Sequence, residues 1–178
     1  MRRSRRPWPV WVVVVFLFLT VWRTLSRHNE STNRLPSTSE MVPVVRVVDG
    51  DTLLLEDGIR VRLLGVDTPE TKRPDHPVEV LGPEATAFTK SFIGSQPIRL
   101  EYDRERRDRF GRVLAYVYVG DQLLNEELIR VGLSKAETRF PFRQAMKQRF
   151  REAEKQARES RRGIWQSDDV DAPKESMR

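Results

Sequence analysis

Val44-Val45-Arg46-Val47-Val48-Asp49-Gly50-Asp51-Thr52-Leu53-Leu54-Leu55-Glu56-Asp57-Gly58-Ile59-Arg60-Val61-Arg62-Leu63-Leu64 is the stretch that decides how this chain folds. Three runs rich in Val, Leu and Ile are separated by Asp49-Gly50 and Asp57-Gly58, the residue pairs that tight turns between antiparallel strands favour. The third run alternates Arg60, Arg62 with Val61, Leu63, the period of a strand with one face buried. The pattern predicts three consecutive antiparallel strands.

Working outward, Gly82-Pro83-Glu84 predicts a helix start, with proline early and an acid in the first turn. Ala85, Phe88 and Phe92 would form its apolar face. Ile98 to Tyr102 and Val113 to Val119 read as further strands, the latter turning at Gly120-Asp121. Asn125 is expected to cap a helix running to Gly132, with Leu124 and Ile129 stapling its start. A last helix, roughly 144–162, carries Met146, Phe150, Ala153 and Ala157 on one stripe and stops at Gly163, after which Ile164-Trp165 can fold back on the body. The expected fold class is α+β: a five-stranded OB-fold β-barrel with three α-helices over residues 43–166. That barrel serves binding modules as well as enzymes, so the fold alone does not give a function.

The N-terminal end has a different texture. Residues 1–6 hold four arginines and read as a basic cytoplasmic segment. Residues 7–23 begin with sixteen uncharged residues, Pro7 to Trp22, and end on Arg23. As a helix those sixteen span about 24 Å at about 1.5 Å per residue, slightly short of a hydrocarbon core of about 30 Å. This predicts a single N-terminal transmembrane signal-anchor with the remainder of the chain extracytoplasmic. Secretion after cleavage of a signal peptide is the alternative, with Thr24-Leu25-Ser26 a poor small-residue cleavage site. Residues 24–42 read as a polar linker and 167–178 as an acidic disordered tail.

Charge must be divided the same way. The chain of 178 residues has a net charge of +6, but residues 1–40 supply +5 of it and residues 41–178 only +1. The basic pI of about 10.0 is therefore weak support for a polyanionic ligand. There are no cysteines, which excludes disulfides and thiolate metal sites.

The chemistry concentrates in three segments at strand ends: Val48-Asp49-Gly50-Asp51-Thr52, Arg62 through Glu70, and Asp108-Arg109-Phe110-Gly111-Arg112. Asp51 and Asp67 are the oxygen donors a hard cation such as Ca²⁺ takes. Glu70, set off by Pro69, could address a metal-bound water instead. Arg62 and Arg112 offer planar guanidinium forks that grip phosphate oxygens in pairs. Each piece alone has a structural reading: Asp-Gly turns occur in any β protein, an Arg–Asp pair is more often a salt bridge, and the run 104–109 mixes signs as solvated loops do. Only the combination suggests phosphodiester hydrolysis.

These segments, with Gly82-Pro83-Glu84-Ala85, Phe110-Gly111-Arg112-Val113-Leu114-Ala115-Tyr116-Val117, Asn125 through Leu133 and Gly163-Ile164-Trp165, resemble the staphylococcal-nuclease (thermonuclease-like) family over residues 43–166. The resemblance implies that Asp51, Asp67 and the Thr68 carbonyl hold Ca²⁺. It implies that Glu70 orients or deprotonates water, and that Arg62 and Arg112 bind the scissile phosphate. It further implies cleavage of DNA and RNA to 3′-phosphates, by a chain expected to be monomeric. One departure matters. Family members carry tyrosines where this chain has Ala136-Glu137-Thr138-Arg139-Phe140-Pro141-Phe142, so Phe140, with Arg109, is left as the substrate-binding candidate. His76 reads as a loop residue. The competing expectation is a catalytically weak binding module of the same fold, which would lack such a set of acids and arginines.

Overall fold

The computed structural model describes residues 34–69 and 81–166. The chain divides into Met1–Leu35 and Pro36–Arg178, and the second unit holds every element below. Glu70, His76, the expected membrane segment at 7–23 and the tail at 167–178 lie outside the described residues. Among the described residues no helix is long and apolar enough to cross a membrane.

The three opening strands form as the sequence predicts: β2 (Val44–Asp49), β3 (Thr52–Leu55) and β4 (Arg60–Leu63). They pair antiparallel in order, Val47 opposite Leu53 and Leu53 opposite Val61. Leu53, Leu55, Val61 and Leu63 point inward and are almost wholly buried. Gly58 turns with φ of 75° at the end of a 3-10 turn, Glu56–Gly58. Two register irregularities in β2 help the sheet to bend.

Further strands are β1 (Met41–Val42), β5 (Val66–Asp67), β6 (Ile98–Glu101), β7 (Val113–Val119), β8 (Gln122–Leu123) and β9 (Lys135–Ala136). The larger sheet runs β1-β6-β7-β4-β3-β2, with β8 on β7, while β5 and β9 pair separately. β4 and β7 are parallel, Val61 opposite Val113, because a helix and β6 intervene between them. The end strands β1 and β2 are consecutive in sequence, parted only by Pro43, so one bent length of chain forms both edges and the sheet curls. Where five strands were expected, the protein has a curled mixed sheet of more and shorter ones. β1 falls inside the stretch read as linker and pairs with β6; Tyr102 Oη also donates to the Pro36 carbonyl at 2.8 Å.

Three helices complete the α+β fold: α1 (Gly82–Ile93), α2 (Leu124–Arg130) and α3 (Gln144–Glu159). The buried face of α1 is Gly82, Ala85, Thr89 and Ile93 rather than Ala85, Phe88 and Phe92. The two phenylalanines are half-buried and stack on each other at 5.7 Å. α3 buries the expected stripe Met146, Phe150, Ala153 and Ala157, and ends three residues sooner than read. Phe150, Phe142 and Tyr116 form an edge-packed aromatic cluster, with centroids 6.0–6.3 Å apart. Asp103 fastens the start of α3 to this core, accepting from Tyr116 Oη at 2.9 Å and from the Arg143 backbone N–H at 3.0 Å. Trp165 folds back and is buried, and Ile164 N–H donates to the Gly132 carbonyl at 2.9 Å. The two segments approach so closely that a Cβ on Gly132 would strike the Arg162 carbonyl, and one on Gly163 the Gly132 carbonyl.

Asn125 corrects the sequence reading. It caps nothing; it is the second residue of α2 and fully buried. Its Oδ1 accepts from Val117 N–H at 2.9 Å, and its Nδ2 donates to the Leu64 carbonyl at 2.9 Å and the Ala115 carbonyl at 3.3 Å. The side chain bridges the end of β4 and the middle of β7, pairing the Val117 N–H and the Leu64 carbonyl. Asn125→Ala orphans two buried groups at about 1–3 kcal/mol each, so urea unfolding should show a loss of about 2–6 kcal/mol. A loss under about 0.5 kcal/mol would refute the bridging role.

Candidate active site

The β2–β3 turn, Asp49 to Thr52, is pressed onto α1. Thr89 Oγ1 donates to the Gly50 carbonyl at 2.6 Å, and Thr86 Oγ1 to Asp49 at 3.2 Å. Gly50 is needed there because a Cβ would fall 2.8 Å from Ala85 Cβ and 2.9 Å from Thr68 Oγ1. The anchored turn aims the buried Asp51 carboxylate at the chain leaving β4. Its Oδ1 accepts from Thr52 Oγ1 at 3.0 Å; its Oδ2 accepts from Thr68 N–H at 3.1 Å and Thr68 Oγ1 at 3.0 Å.

Arg62 projects from β4, directly across the ladder from Thr52. Its Nη1 forms an ion pair with Asp51 Oδ2, and its Nη2 donates to Asp67 Oδ1 at 3.0 Å. One guanidinium therefore ties a buried carboxylate to a solvent-facing one, Asp67 being 64% exposed at its side chain. Asp67 sits on β5 opposite Lys135, with its N–H held by Ser134 Oγ at 2.9 Å. Burial of its inner side raises the Asp67 carboxyl above the ordinary value; Arg62 lowers it, and repulsion from Asp51 and Glu137 raises it again. Its open face lets solvent temper that shift.

Arg112 is placed by the loop before β7. Asp108 is the loop's hub: its Oδ1 accepts from the N–H groups of Phe110 and Arg112 at 2.9 Å each, and its Oδ2 from Arg112 Nε at 2.7 Å. Burial would raise the Asp108 carboxyl, but these bonds outweigh it and hold the group below its ordinary value. Gly111, at φ of 77°, makes the tight reversal. With Nε engaged, Arg112 keeps both terminal nitrogens free of that carboxylate.

Arg62, Asp67, Arg109, Arg112 and Phe140 line one cleft of about 550 Å³. Asp51 and Thr68 stand behind Arg62, bonded to each other. Phe110 and Phe140 are 68% and 62% exposed, large apolar side chains left in water at the cleft. Arg109 and Arg112 both lie over the Phe110 ring, at 4.7 and 5.4 Å. Glu137 and Arg139 also line the cleft and hold each other in a two-pronged pair at 2.9 and 2.6 Å. The sequence reading gave no role to Asp108, Ser134, Glu137 or Arg139. Asp108 and Arg112, four apart about a glycine, carried the one legible signal.

The donor set suits a hard divalent cation. Asp51 and Asp67 are near enough to repel, so a cation between them relieves that repulsion, and no soft ligand competes. Among the described residues, no group of three or more His, Cys, Asp or Glu side chains is placed to hold a metal.

A mixed, curled sheet with three helices, bearing paired acids and arginines at its strand ends, makes this a small α+β domain with a charged cleft. Residues 60–167 match the family model described as staphylococcal nuclease homologue. The chain is 39% identical to a thermonuclease of Staphylococcus hyicus over 158 residues, covering 86% of this chain and 93% of that protein. It is 44% identical to a thermonuclease of Staphylococcus intermedius over 126 residues, covering 69% and 74%. The endonuclease YncB of Bacillus subtilis is 37% identical over 128 residues, covering 70% and 61%. The chain belongs to the staphylococcal nuclease homologue family and is a nuclease hydrolase of that family.

Asp108 holds Arg112 in place through its backbone N–H and its Nε. Asp108→Asn should leave the fold intact but lower kcat on DNA by about 10–100-fold, the scale of a catalytic group misplaced by an ångström, with KM less affected. A kcat within threefold of the parent would reduce Asp108 to a loop brace.

Proposed function

We propose that this chain is a calcium-dependent, sugar-non-specific endonuclease that hydrolyses phosphodiester bonds of DNA and RNA to 3′-phosphate products. The observation carrying this reading is Arg62, held between Asp51 and Asp67 in the same cleft as Arg112. The domain bearing it is read as an OB-type barrel, residues 43–166.

In this reading Asp51, Asp67 and the Thr68 carbonyl hold Ca²⁺, which supplies Lewis-acid polarisation of the phosphate and neutralises charge when bound. Arg62 orients one face of the phosphate. Arg112, its Nε fixed by Asp108, directs its terminal N–H groups at the oxygens where negative charge grows during attack. Glu70, from its place after Asp67-Thr68-Pro69, takes or orients the proton of the attacking water. Phe140 and Arg109 contact the base and backbone of the bound strand. Neither cleft aromatic bears a hydroxyl, so this contact is stacking.

The N-terminal apolar run supports a further reading of location: residues 7–23 anchor the chain and place the nuclease outside the cytoplasm. Protease treatment of intact spheroplasts expressing the full chain should digest it, and alkaline washing should leave it in the membrane. A soluble product lacking about 25 N-terminal residues would instead show cleaved secretion.

Metal dependence is the direct test of the site. The purified chain should digest plasmid DNA and RNA in Ca²⁺ and stop in chelator. Undiminished digestion in chelator would remove Asp51 and Asp67 from the role of ligands.

A further inference from the structure

Apart from Phe140, the outer bank of the cleft has been given no role. The segment from Lys135 to Phe142 runs beside α3 in the opposite direction. Lys135 and Arg158 both lie over the Trp165 ring, 5.9 and 3.6 Å from its centroid. Thr138 Oγ1 accepts from Arg151 at 3.2 Å, and Lys147 Nζ sits 5.1 Å from the Phe142 ring. Arg139, Phe140 and Pro141, in the same segment, line the cleft. One flank of α3 therefore backs the cleft wall along its length.

That flank is basic. At about 100° per residue, Lys147, Arg151, Lys155 and Arg158 fall within an arc of roughly 80° beside the buried stripe. Residues 143–162 contain eight Lys and Arg against three Glu, a net +5, whereas the rest of residues 41–178 sums to −4. The near-neutral total of the domain thus conceals a strongly polarised distribution. A flank that is merely solvated would have its charges matched, and these are matched poorly. Arg158 pairs with Glu154 at 3.3 Å, while Lys155 reaches Glu159 only at 3.9 Å between exposed side chains. Among the described residues, no ion pair engages Lys147 or Arg151; the first rests on an aromatic face and the second on a hydroxyl.

We propose that this flank of α3 is a second contact surface for the polynucleotide, taking backbone phosphates of the stretch that leaves the cleft over Arg139 to Pro141. The proposal rests on the nucleic-acid reading of the cleft. From Lys147 to Arg158 the helix rises roughly 16 Å, about five steps of a strand advancing about 3.4 Å each. Lysine and arginine without bidentate base partners read charge, not sequence, so the surface adds affinity for long substrates irrespective of their bases.

The test is the full-length chain carrying Lys147→Gln, Arg151→Gln and Lys155→Gln, none of which lines the cleft. Binding of a labelled 30-nucleotide duplex is titrated in chelator across a salt series, and hydrolysis of a trinucleotide is followed in Ca²⁺. The salt slope of the binding constant should fall by roughly 2–3, at about 0.9 per phosphate contact, while trinucleotide hydrolysis stays within twofold. An unchanged slope overturns the proposal, as does an equal loss on the trinucleotide, which would place the effect in the cleft. An unchanged slope with weakened binding to anionic phospholipid vesicles would overturn it in favour of a lipid surface. If the parent chain cuts neither substrate yet the slope still falls, the hydrolytic reading fails while the binding surface stands.

Discussion

Asp51 is a buried carboxylate whose partners come from three separate stretches of chain, and the site depends on it. It takes the Thr52 hydroxyl from β3, the Arg62 guanidinium from β4, and both the N–H and the hydroxyl of Thr68 beyond β5. A carboxylate removed from water is costly unless its charge is paired and its lone pairs are occupied. The arrangement meets both conditions, and in doing so fixes where β4, the end of β5 and the Asp49–Thr52 turn lie relative to one another. Such a pair contributes little net stability, because desolvation offsets attraction. Its consequence is geometric: Arg62 cannot turn away without leaving a buried charge uncompensated.

The rest of the fold serves that alignment. Asn125 joins the Leu64 carbonyl to Val117, so the end of β4 cannot slide along β7 and carry Arg62 with it. Gly65, at φ of 71°, lies against Phe150 and Phe142 with no room for a Cβ, which sets the turn that delivers Asp67. Ser134 then holds the Asp67 N–H from the facing ribbon. Aromatic packing, a buried amide and a left-handed glycine each constrain a different stretch around one ion pair.

Much of this was legible in residue order because alternation and turn chemistry are local signals. The meander from Val44 to Leu63 follows from alternation and its Asp-Gly turns, the α3 stripe from helical periodicity, and the return of Trp165 from the stop at Gly163. What misled was what locality cannot show. Asn125 stands where a cap would, yet its amide serves strands eight and sixty-one residues away. The bulk of Phe88 and Phe92 suggested the inner face of α1, but that helix meets the Gly50 turn closely through Ala85 and Thr89, and its buried face follows those smaller residues. Met41–Val42 looked polar by its neighbours and is drawn into the sheet by pairing with Ile98 and Arg99. Within the cleft, the acids and arginines were recognisable as a set, whereas their pairing was not. That Asp108 serves Arg112, and Glu137 serves Arg139, depends on how two loops fold back on themselves.

That pairing has a physical consequence for the cleft as a whole. Arg62, Arg112 and Arg139 are each held by a carboxylate: Asp51 and Asp67, Asp108, and Glu137. A loosely held arginine must lose rotamer freedom when a phosphate arrives, whereas an arginine already bonded to an acid has its plane set beforehand. The same acids weaken the positive field at the mouth of the cleft, so a passing polyanion gains less from simple attraction there than from a cluster of free cations. The cleft is thereby suited to orient charge rather than to collect it. The net positive charge of residues 41–178 is concentrated instead in residues 143–162, +5 against −4 elsewhere, on and beside α3 rather than among the residues that line the cleft.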